Sequence, residues 1–456
     1  MKFKPNLNLS LLAVIIIFLF CVFTAHINKV WCGGDTYTPY CYDSKQYYSY
    51  LPKFFLEHDM AFKNRGDYWL DALPDGTPFI KYTCGIAILQ APFFLLAWLI
   101  SSVFNMPIDG GYSHFFIETI HYGILIYFLL GLLSLRKVLL HFKVSELVVC
   151  ITLLATFFGT NLLYYILGQG LMTHGFLFSL HSIFLYLIIR FYNKPNISTS
   201  LLIGLVGGLI ALIRPTEIIC YIVWLLWDIN SIAGFKSRVI LLLSNYKLLL
   251  AMAIIFIIVW IPQLTYWHYI SGKLFIDTYA GEKLFFSDPK IWQVLFSTRN
   301  GLLPYCPVLF LYLVSLFIPS PSIKGKLGLY IFIILNIYLV SCWWCWWYGG
   351  SYSMRALLQI YPYLAISFAC MLQYIYYNAN FKKAFKYTLN TVIFLLVALQ
   401  LKFWFQCKKG FVHYDSMTTK AYMFILPRVE LNGEEKGIYY SLLKTPDYVK
   451  AKEGER

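Results

Sequence analysis

The feature that most restricts the fold of this 456-residue chain is a series of long apolar segments separated by short polar loops. Hydrophobic residues make up 59% of the sequence and charged residues 13%, against roughly 25% charged residues in soluble domains. Too few charged residues are present to cover a soluble surface, which excludes a soluble multidomain enzyme, a disordered chain and a disulfide scaffold. The apolar segments are continuous rather than alternating, which excludes a transmembrane β-barrel. The sequence therefore predicts an all-α, polytopic membrane protein.

The net charge of +15 is distributed as in a membrane protein rather than a nucleic-acid-binding protein. Lys2 and Lys4 precede the first apolar segment, 9–23, and no small-x-small cleavage site follows it. We therefore expect an uncleaved first span with a cytoplasmic N-terminus. The positive-inside rule also assigns the later basic loops to the cytoplasm. Their residues are Arg136, Lys137, Lys143, Arg190, Lys194, Lys236, Arg238, Lys247, Lys324, Lys326, Lys382, Lys383 and Lys386.

The apolar segment 85–104 is long enough to span a membrane, but a full crossing would place the Arg136, Lys137 and Lys143 cluster outside. We therefore predict a juxtamembrane segment at the end of a first extracytoplasmic loop, 28–104. The whole chain is then a bundle of about eleven spans over residues 1–406, followed by an extracytoplasmic tail, 407–456. The spans after the first are 115–134, 146–165, 173–190, 200–213, 216–228, 248–269, 303–318, 327–345, 356–376 and 388–406.

Two of these segments, 200–213 and 216–228, are unusually short and meet at Arg214-Pro215. Pro215 lacks the amide hydrogen that a continuous helix needs, so the sequence predicts a helix break. Half-length helices that meet at a cation are a common way to build a polar site inside a membrane. Arg214 is therefore a candidate site residue, and an internal ion pair with Glu217 is the alternative.

The first loop contains the motifs that most narrow the function. It reads Asp43-Ser-Lys-Gln-Tyr-Tyr-Ser-Tyr-Leu-Pro, then Gly66-Asp-Tyr-Trp, then Pro74-Asp-Gly-Thr-Pro-Phe-Ile-Lys81. This order resembles the first extracytoplasmic loop of the GT-C glycosyltransferases, such as bacterial protein O-mannosyltransferases and aminoarabinose transferases. In that family an acidic residue opens a Tyr-containing helix, and a lysine precedes an apolar juxtamembrane segment. Asp43 and Lys81 match these two positions.

Three later stretches extend the resemblance. Residues 204–216 resemble the family's Gly-Leu-x-x-Leu-(Lys/Arg) turn between two short spans, and 295–307 and 347–355 resemble stretches of related bacterial membrane glycosyltransferases. Three features depart from the family pattern. Ser44 stands where a glutamate is common, Tyr82 replaces a second proline, and no Asp-x-Asp motif is present.

The resemblance implies an inverting transfer of a sugar from a polyprenyl-phosphate donor to a hydroxyl of a glycolipid, a lipid-linked glycan or a protein. The reaction would take place on the extracytoplasmic side of the inner or plasma membrane. It needs a base for the acceptor hydroxyl and cations for the departing phosphate. Asp43 is the candidate base, and Asp35 is the other candidate carboxylate. The candidate cations are Lys81, Arg214, Arg299 and Arg355.

Each candidate also has a structural alternative. Asp43 could cap the following helix, Lys81 could extend to the membrane interface, and Arg299 and Arg355 could anchor the ends of spans. No metal site and no other cofactor is predicted, because a divalent ion would need a second carboxylate near the first.

Two other functions remain open at this point. A flippase for polysaccharide or lipid-linked glycan would need internal repeats or paired discontinuous helices, whereas the sequence contains a single Arg-Pro break. An O-antigen-type polymerase or ligase would place its large loop later in the chain. The expected partners are the lipid bilayer, the donor lipid and the acceptor, with no nucleic acid.

Overall fold

The computed structural model describes residues 8–28, 43–62, 70–73, 75–279, 281–318 and 325–455, and these residues are predominantly helical. The α-helices are α1 (Leu9–Asn28), α2 (Asp43–Phe55), α3 (Gly85–Val103), α4 (His114–His141), α5 (Glu146–Phe158), α6 (Leu162–Leu167), α7 (Thr173–Asn193), α8 (Ile197–Ile213), α9 (Cys220–Leu225), α10 (Ile232–Ser244), α11 (Tyr246–Ser271), α12 (Ile291–Phe296), α13 (Leu302–Tyr305), α14 (Leu309–Ser315), α15 (Leu327–Cys342), α16 (Tyr361–Tyr377), α17 (Lys383–Lys408), α18 (Thr419–Ile425), α19 (Gly433–Ser441) and α20 (Tyr448–Glu453). The short 3₁₀ helices are Asp109–Gly111, Pro215–Ile219 and Arg355–Ile360. Strands β1 (Asp71–Ala72) and β2 (Pro78–Phe79) pair antiparallel.

Seven helices in the described part of the chain are long and apolar enough to cross a membrane. They are Leu9–Ile27, Gly85–Val103, Asp109–His141, Thr173–Asn193, Tyr246–Ser271, Arg355–Tyr377 and Lys383–Lys408. Four shorter apolar helices accompany them, namely Glu146–Phe158, Ile197–Ile213, Pro215–Leu225 and Leu327–Cys342. The fold is thus that of an all-α membrane protein with several apolar helices.

Every segment predicted as a span contains helical residues, but two of the predicted single helices are interrupted. The segment 146–165 is divided between α5 and α6, and the segment 303–318 between α13 and α14. The second interruption lies at Cys306-Pro307. Cys306 has non-helical dihedrals (φ −123°, ψ 61°), and Pro307 has no amide hydrogen to continue the helix.

The predicted break at Arg214-Pro215 is confirmed. Helix α8 ends at Ile213, and Arg214 has an extended backbone (φ −144°, ψ 107°) before Pro215 opens a 3₁₀ helix. The proline ring disfavours helical dihedrals in the preceding residue, which explains the extended arginine. Arg214 is therefore held at the junction of two helical segments rather than on the face of one.

The core is centred on α7 and α16, whose residues are mostly buried, whereas α11 and α17 expose many large apolar side chains.

Helix α8 packs closely on α11 because Gly204 and Gly208 face it. A Cβ atom at Gly204 would overlap the carbonyl of Met252, and one at Gly208 would lie 3.4 Å from the Cα atom of Phe256. Small residues at this spacing let helix backbones approach each other in a membrane.

Helix α4 connects the two ends of the bundle. Near its C-terminal end, Arg136 Nη2 lies 2.9 Å from Glu146 Oε1, and Arg136 Nε donates to Ser10 Oγ at 2.5 Å. Just before its first residue, the carbonyl of Gly111 accepts a hydrogen bond from the Tyr48 hydroxyl of α2. The 28 residues of α4 extend about 42 Å, so α2 and the Arg136 ion pair lie at opposite ends of the bundle.

Candidate functional site

An ion pair joins the first loop to a late segment of the chain. Asp43 is the first residue of α2, and Arg355 opens the 3₁₀ helix before α16. Asp43 Oδ2 lies 3.7 Å from Arg355 Nη2, and the two side chains are 29% and 15% exposed. Arg355 Nη2 also donates a hydrogen bond to the carbonyl oxygen of Gly349 at 3.2 Å. The pair is neither sealed in the core nor fully in solvent, so both groups remain accessible to a ligand.

Three tyrosines surround Asp43, namely Tyr47, Tyr82 and Tyr279. The ring centroids of Tyr47 and Tyr82 are 4.7 Å apart, and those of Tyr82 and Tyr279 are 6.2 Å apart. Burial, and after it the charge of Asp43, raises the pKa of all three phenols above its ordinary value. The phenols therefore stay protonated at neutral pH and can donate hydrogen bonds. Rings with donor hydroxyls are suited to contacts with a sugar, which has apolar faces and polar edges.

Lys81 lies just after β2, in a segment that is attached to two helices. The Lys81 amide donates to Gln46 Oε1 of α2 at 2.8 Å. The Thr83 hydroxyl donates to the carbonyl of Leu212 near the end of α8. These two contacts hold the segment between the start of α2 and the break that follows α8.

The ammonium group of Lys81 forms an ion pair with Glu282 and lies 4.7 Å from the ring centroid of Tyr279. The second carboxylate oxygen of Glu282, Oε2, accepts a hydrogen bond from Trp344 Nε1 at 3.1 Å. The amide of Trp344 in turn donates to the carbonyl of Lys283 at 3.0 Å, which fixes the two loops together. Sequence reasoning missed Glu282 and Tyr279, because they lie in a long loop without periodicity or a recognisable motif.

Arg214 lies close to the tyrosines around Asp43. Its Nη1 atom lies 3.7 Å from Glu217 Oε1 and donates to the carbonyl oxygen of Ala356 at 3.2 Å. Ala356 follows Arg355 directly, so the Arg214 guanidinium group lies against the backbone of the segment that carries Arg355. The charge of Arg214 also acts on Tyr279. The alternative ion pair with Glu217 is therefore formed, and Arg214 nevertheless lies beside the tyrosines around the carboxylate.

Glu217 is buried and held by a polar network inside the bundle. Gln359 Nε2 donates to Glu217 Oε1 at 2.8 Å and to Asn336 Oδ1 at 2.9 Å. His181 Nε2 lies 3.6 Å from Glu217 Oε2, and His181 Nδ1 lies 2.8 Å from the hydroxyl of Tyr363. Ionisable and amide groups at this depth are stable only when they pair with one another. The network thus fixes the position of the Glu217 carboxylate, which pairs with the guanidinium group of Arg214.

Arg299 contacts the C-terminal tail and the segment that contains Trp347. Its Nη2 atom donates to the carbonyl of Lys444 at 2.9 Å, and its guanidinium lies 5.9 Å from the ring centroid of Trp347. Burial lowers the pKa of Arg299, opposed by the charge of Asp415 in the tail. The structure thus places Arg299 against the C-terminal tail. Asp35, the other candidate carboxylate, lies outside the described residues.

The structure brings together four of the six candidate residues and adds three aromatic side chains to them. The group, called the Asp43 site below, consists of Asp43, Lys81, Arg214, Arg355, Tyr47, Tyr82 and Tyr279. The group contains a carboxylate that can accept a proton and three cations that can bind an anion. Among the described residues, no three His, Cys, Asp or Glu side chains are grouped so as to hold a metal ion.

Comparison of the sequence and structure with protein-family models, curated proteins and solved structures gives no match. The functional interpretation therefore depends on the residues of the Asp43 site and their geometry.

Proposed function

We propose that this chain is an integral membrane glycosyltransferase of the GT-C type. It transfers a sugar from a polyprenyl-phosphate donor to a hydroxyl of a glycolipid, a lipid-linked glycan or a protein, with inversion at the anomeric carbon. The observation that carries the proposal is the convergence of Asp43, Lys81, Arg214 and Arg355 from four separate segments of the chain.

In the proposed reaction, Asp43 takes the proton of the acceptor hydroxyl as its oxygen attacks the anomeric carbon. The bond between that carbon and the phosphate oxygen breaks, and the electron pair leaves with the phosphate. Lys81, Arg214 and Arg355 neutralise the charge that develops on the leaving group. The protonated phenols of the site donate hydrogen bonds to the sugar hydroxyls.

The carboxylate partners of the three cations support this assignment. Lys81 is paired with Glu282, Arg214 with Glu217, and Arg355 with the proposed base itself. The cations are thus oriented before a donor binds, which lowers the entropy lost on binding. Because Arg355 lies between the base and the proposed phosphate position, binding of the donor and activation of the acceptor would be coupled.

The finer architecture is part of the proposal: about eleven spans, a cytoplasmic N-terminus and an extracytoplasmic active site in the inner or plasma membrane. The contacts of α3 support a juxtamembrane position for 85–104. The carbonyl of Leu89 accepts a hydrogen bond from Tyr127 at 3.0 Å, and the rings of Phe94 and Phe116 are 5.1 Å apart. These contacts lie along the first half of α4 only, where α2 also lies.

The experiment that tests the proposal uses the purified chain in proteoliposomes with a radiolabelled polyprenyl-phosphate sugar. Release of polyprenyl phosphate together with a glycosylated acceptor is expected. Mass spectrometry of surface glycans from a deletion strain provides the cellular test, in which one sugar residue should be lost. Absence of transfer with every acceptor class would reject the proposal.

A glycan transporter is the second candidate function, and one observation favours it. His181 and Glu217 form a fully buried pair within the bundle, and such pairs occur in the proton relays of transporters. A transporter would leave the donor intact, and its deletion would cause complete lipid-linked glycan to accumulate on the cytoplasmic side. An O-antigen-type polymerase or ligase would instead change the length or attachment of the glycan.

A further inference from the structure

His174, the second residue of α7, is buried without a hydrogen-bond partner. It is 3% exposed, and in the described part of the chain neither Nδ1 nor Nε2 has a donor or acceptor in reach. A buried imidazole with both nitrogens unpaired is unfavourable, and most buried polar side chains in proteins are paired. Among the described residues, no protein group supplies the missing partner.

The surroundings of the ring indicate the direction in which it points. His174 packs edge-on against Tyr165, with ring centroids 4.8 Å apart. The Tyr165 hydroxyl accepts a hydrogen bond from the amide of Tyr352 at 3.0 Å, three residues before Arg355. Helix α7 also packs against the 3₁₀ helix that Arg355 opens. The guanidinium groups of Arg355 and Arg214 both act electrostatically on the ring.

The periodicity of α7 gives the same direction independently. His181 lies seven residues after His174, which places both side chains on one face of the helix. His181 reaches Glu217 at 3.6 Å, and Glu217 holds Arg214. His174 therefore occupies the same face about 10 Å nearer the start of the helix. That face is directed towards the two arginines.

The position of the ring is fixed by close packing. Gly175 lies against α6, where a Cβ atom would be 2.8 Å from Ile166 Cδ1 and 3.7 Å from the carbonyl of Tyr165. Met172 at the N-cap of α7 makes no side-chain hydrogen bond to the helix. The amides of the first turn point towards the N-terminal end of the helix, where His174 also lies. Amides at a helix start and a buried N–H group both favour an anion.

We propose that His174 donates a hydrogen bond to an oxygen of a phosphate group bound between Arg214 and Arg355. The inference rests on the proposed function in that the phosphate belongs to a polyprenyl-phosphate lipid. An imidazole carries at least one N–H group in either protonation state, so it can serve as the donor. His174 is then a binding residue that recognises the phosphate and has no part in proton transfer.

The test measures binding of farnesyl phosphate and of inorganic phosphate to the detergent-purified full chain. His174→Phe removes the donor and should weaken binding at least about 10-fold, because hydrogen bonds to charged groups are among the strongest. His174→Asn keeps an N–H donor and should recover part of the affinity. His121→Phe is the matched control, since His121 is a similarly buried histidine on another helix of the bundle, α4. This control should bind like the unmodified chain.

His174→Phe should also unfold at the same temperature as the unmodified chain or higher, because an unsatisfied polar group has been removed. If His174→Phe does not fold, His174→Met replaces it as the variant without a donor. Unchanged affinity in the variant without the histidine donor would overturn the inference. The inference would also be overturned if the unmodified chain bound neither farnesyl phosphate nor inorganic phosphate.

The test separates this inference from the proposed function. Binding of farnesyl phosphate that depends on His174 without sugar transfer would uphold the inference and reject the glycosyltransferase. Sugar transfer together with an affinity for farnesyl phosphate that does not depend on His174 would support the glycosyltransferase and reject the inference. If inorganic phosphate binds in a way that depends on His174 and farnesyl phosphate does not bind, the role of His174 is upheld with free phosphate as the ligand.

Discussion

Asp43 Oδ2 lies 3.7 Å from Arg355 Nη2, although the two residues belong to the first loop and to one of the last apolar segments. The ion pair connects the first loop to the 3₁₀ helix that precedes the core helix α16. It also brings a group that can accept a proton beside a group that can bind phosphate.

Asp43→Asn is expected to abolish sugar transfer while leaving donor binding largely intact. Loss of a general base typically lowers the rate about 10²- to 10⁴-fold, because the acceptor hydroxyl is a poor nucleophile until its proton is removed. Initial rates of transfer and affinity for polyprenyl phosphate should be measured separately at equal membrane abundance.

Asp35→Asn is the comparison for this experiment and should lower the rate much less. Near-normal turnover of Asp43→Asn would remove this carboxylate from the mechanism. Inactivity of Asp35→Asn alone would identify Asp35 as the base.

Arg355→Gln is expected to weaken phosphate binding about 10- to 150-fold, since one charge-assisted contact is lost. Arg299→Gln should leave phosphate binding unchanged, because Arg299 donates to the carbonyl of Lys444 in the tail. Titration of both variants with polyprenyl phosphate compares the two arginines directly. Equal losses of affinity would contradict the placement of Arg299 outside the Asp43 site.

The helices could largely be predicted from the sequence, because segment length and apolar composition decide where a helix can lie in a membrane. The break at Arg214 was also predictable, since Pro215 disfavours helical dihedrals in the residue before it. The division of 303–318 into α13 and α14 was missed, although Pro307 gives the same local signal. The segment is long enough for one apolar span, and this length conceals the effect of the proline in a prediction from the sequence.

The site was only partly predictable, because its contacts join residues far apart in the chain. Asp43 and Lys81 were found through the resemblance of the first loop to a family pattern. Gln359 and Asn336 carried a usable signal, as amide side chains within apolar segments. Glu282 carried no signal of this kind, because its pairing with Lys81 depends on how two irregular loops pack.

The topology can be tested by cysteine labelling of intact cells. A cysteine at position 71 should react with an impermeant thiol reagent, and one at position 143 should react only after permeabilisation. Asp71 and Lys143 are both exposed, so access across the membrane is what distinguishes them. The native cysteines in the described ranges are buried or half-buried, and the unmodified chain gives their background. Labelling of both positions from the same side would reject the juxtamembrane placement of 85–104.

Glu217→Ala is expected to destabilise the protein by about 1–3 kcal/mol, because Arg214 and Gln359 both lose a partner in a buried environment. Glu118→Ala is the control. Glu118 faces His114 at 3.5 Å in a more exposed pair, which should contribute less than about 1 kcal/mol. Unfolding in detergent with increasing denaturant measures both variants. Equal destabilisation would show that the Glu217 network adds nothing beyond a surface contact.

The C-terminal tail is attached near the Asp43 site through Asp415. Tyr448 donates its hydroxyl hydrogen to Asp415 Oδ2 at 2.7 Å, and Ser416 Oγ donates to Oδ1 at 2.7 Å. His413 Nδ1 lies 3.2 Å from the same Oδ1 atom. Tyr448 also accepts a hydrogen bond from Trp347 Nε1 at 3.4 Å. Asp415 thus anchors the helix that covers the tryptophan segment beside the site.

The attachment of the tail is expected to weaken only in acid. Burial raises the pKa of Asp415, but the hydrogen bonds from His413, Ser416 and Tyr448 outweigh burial and lower it below the ordinary aspartate value. A lowered pKa in the folded state stabilises the fold above the unfolded-state value, and this contribution is lost as the pH falls through the folded-state value. The tail should therefore stay attached from neutral pH down to about pH 4 and detach progressively below it.

Hydrogen exchange of residues 411–455, corrected for its intrinsic pH dependence, should show this step. Asp415→Asn should remove the step, whereas Asp447→Asn, which changes the cap of α20, should keep it. A step that persists in Asp415→Asn would assign the acid sensitivity to another carboxylate.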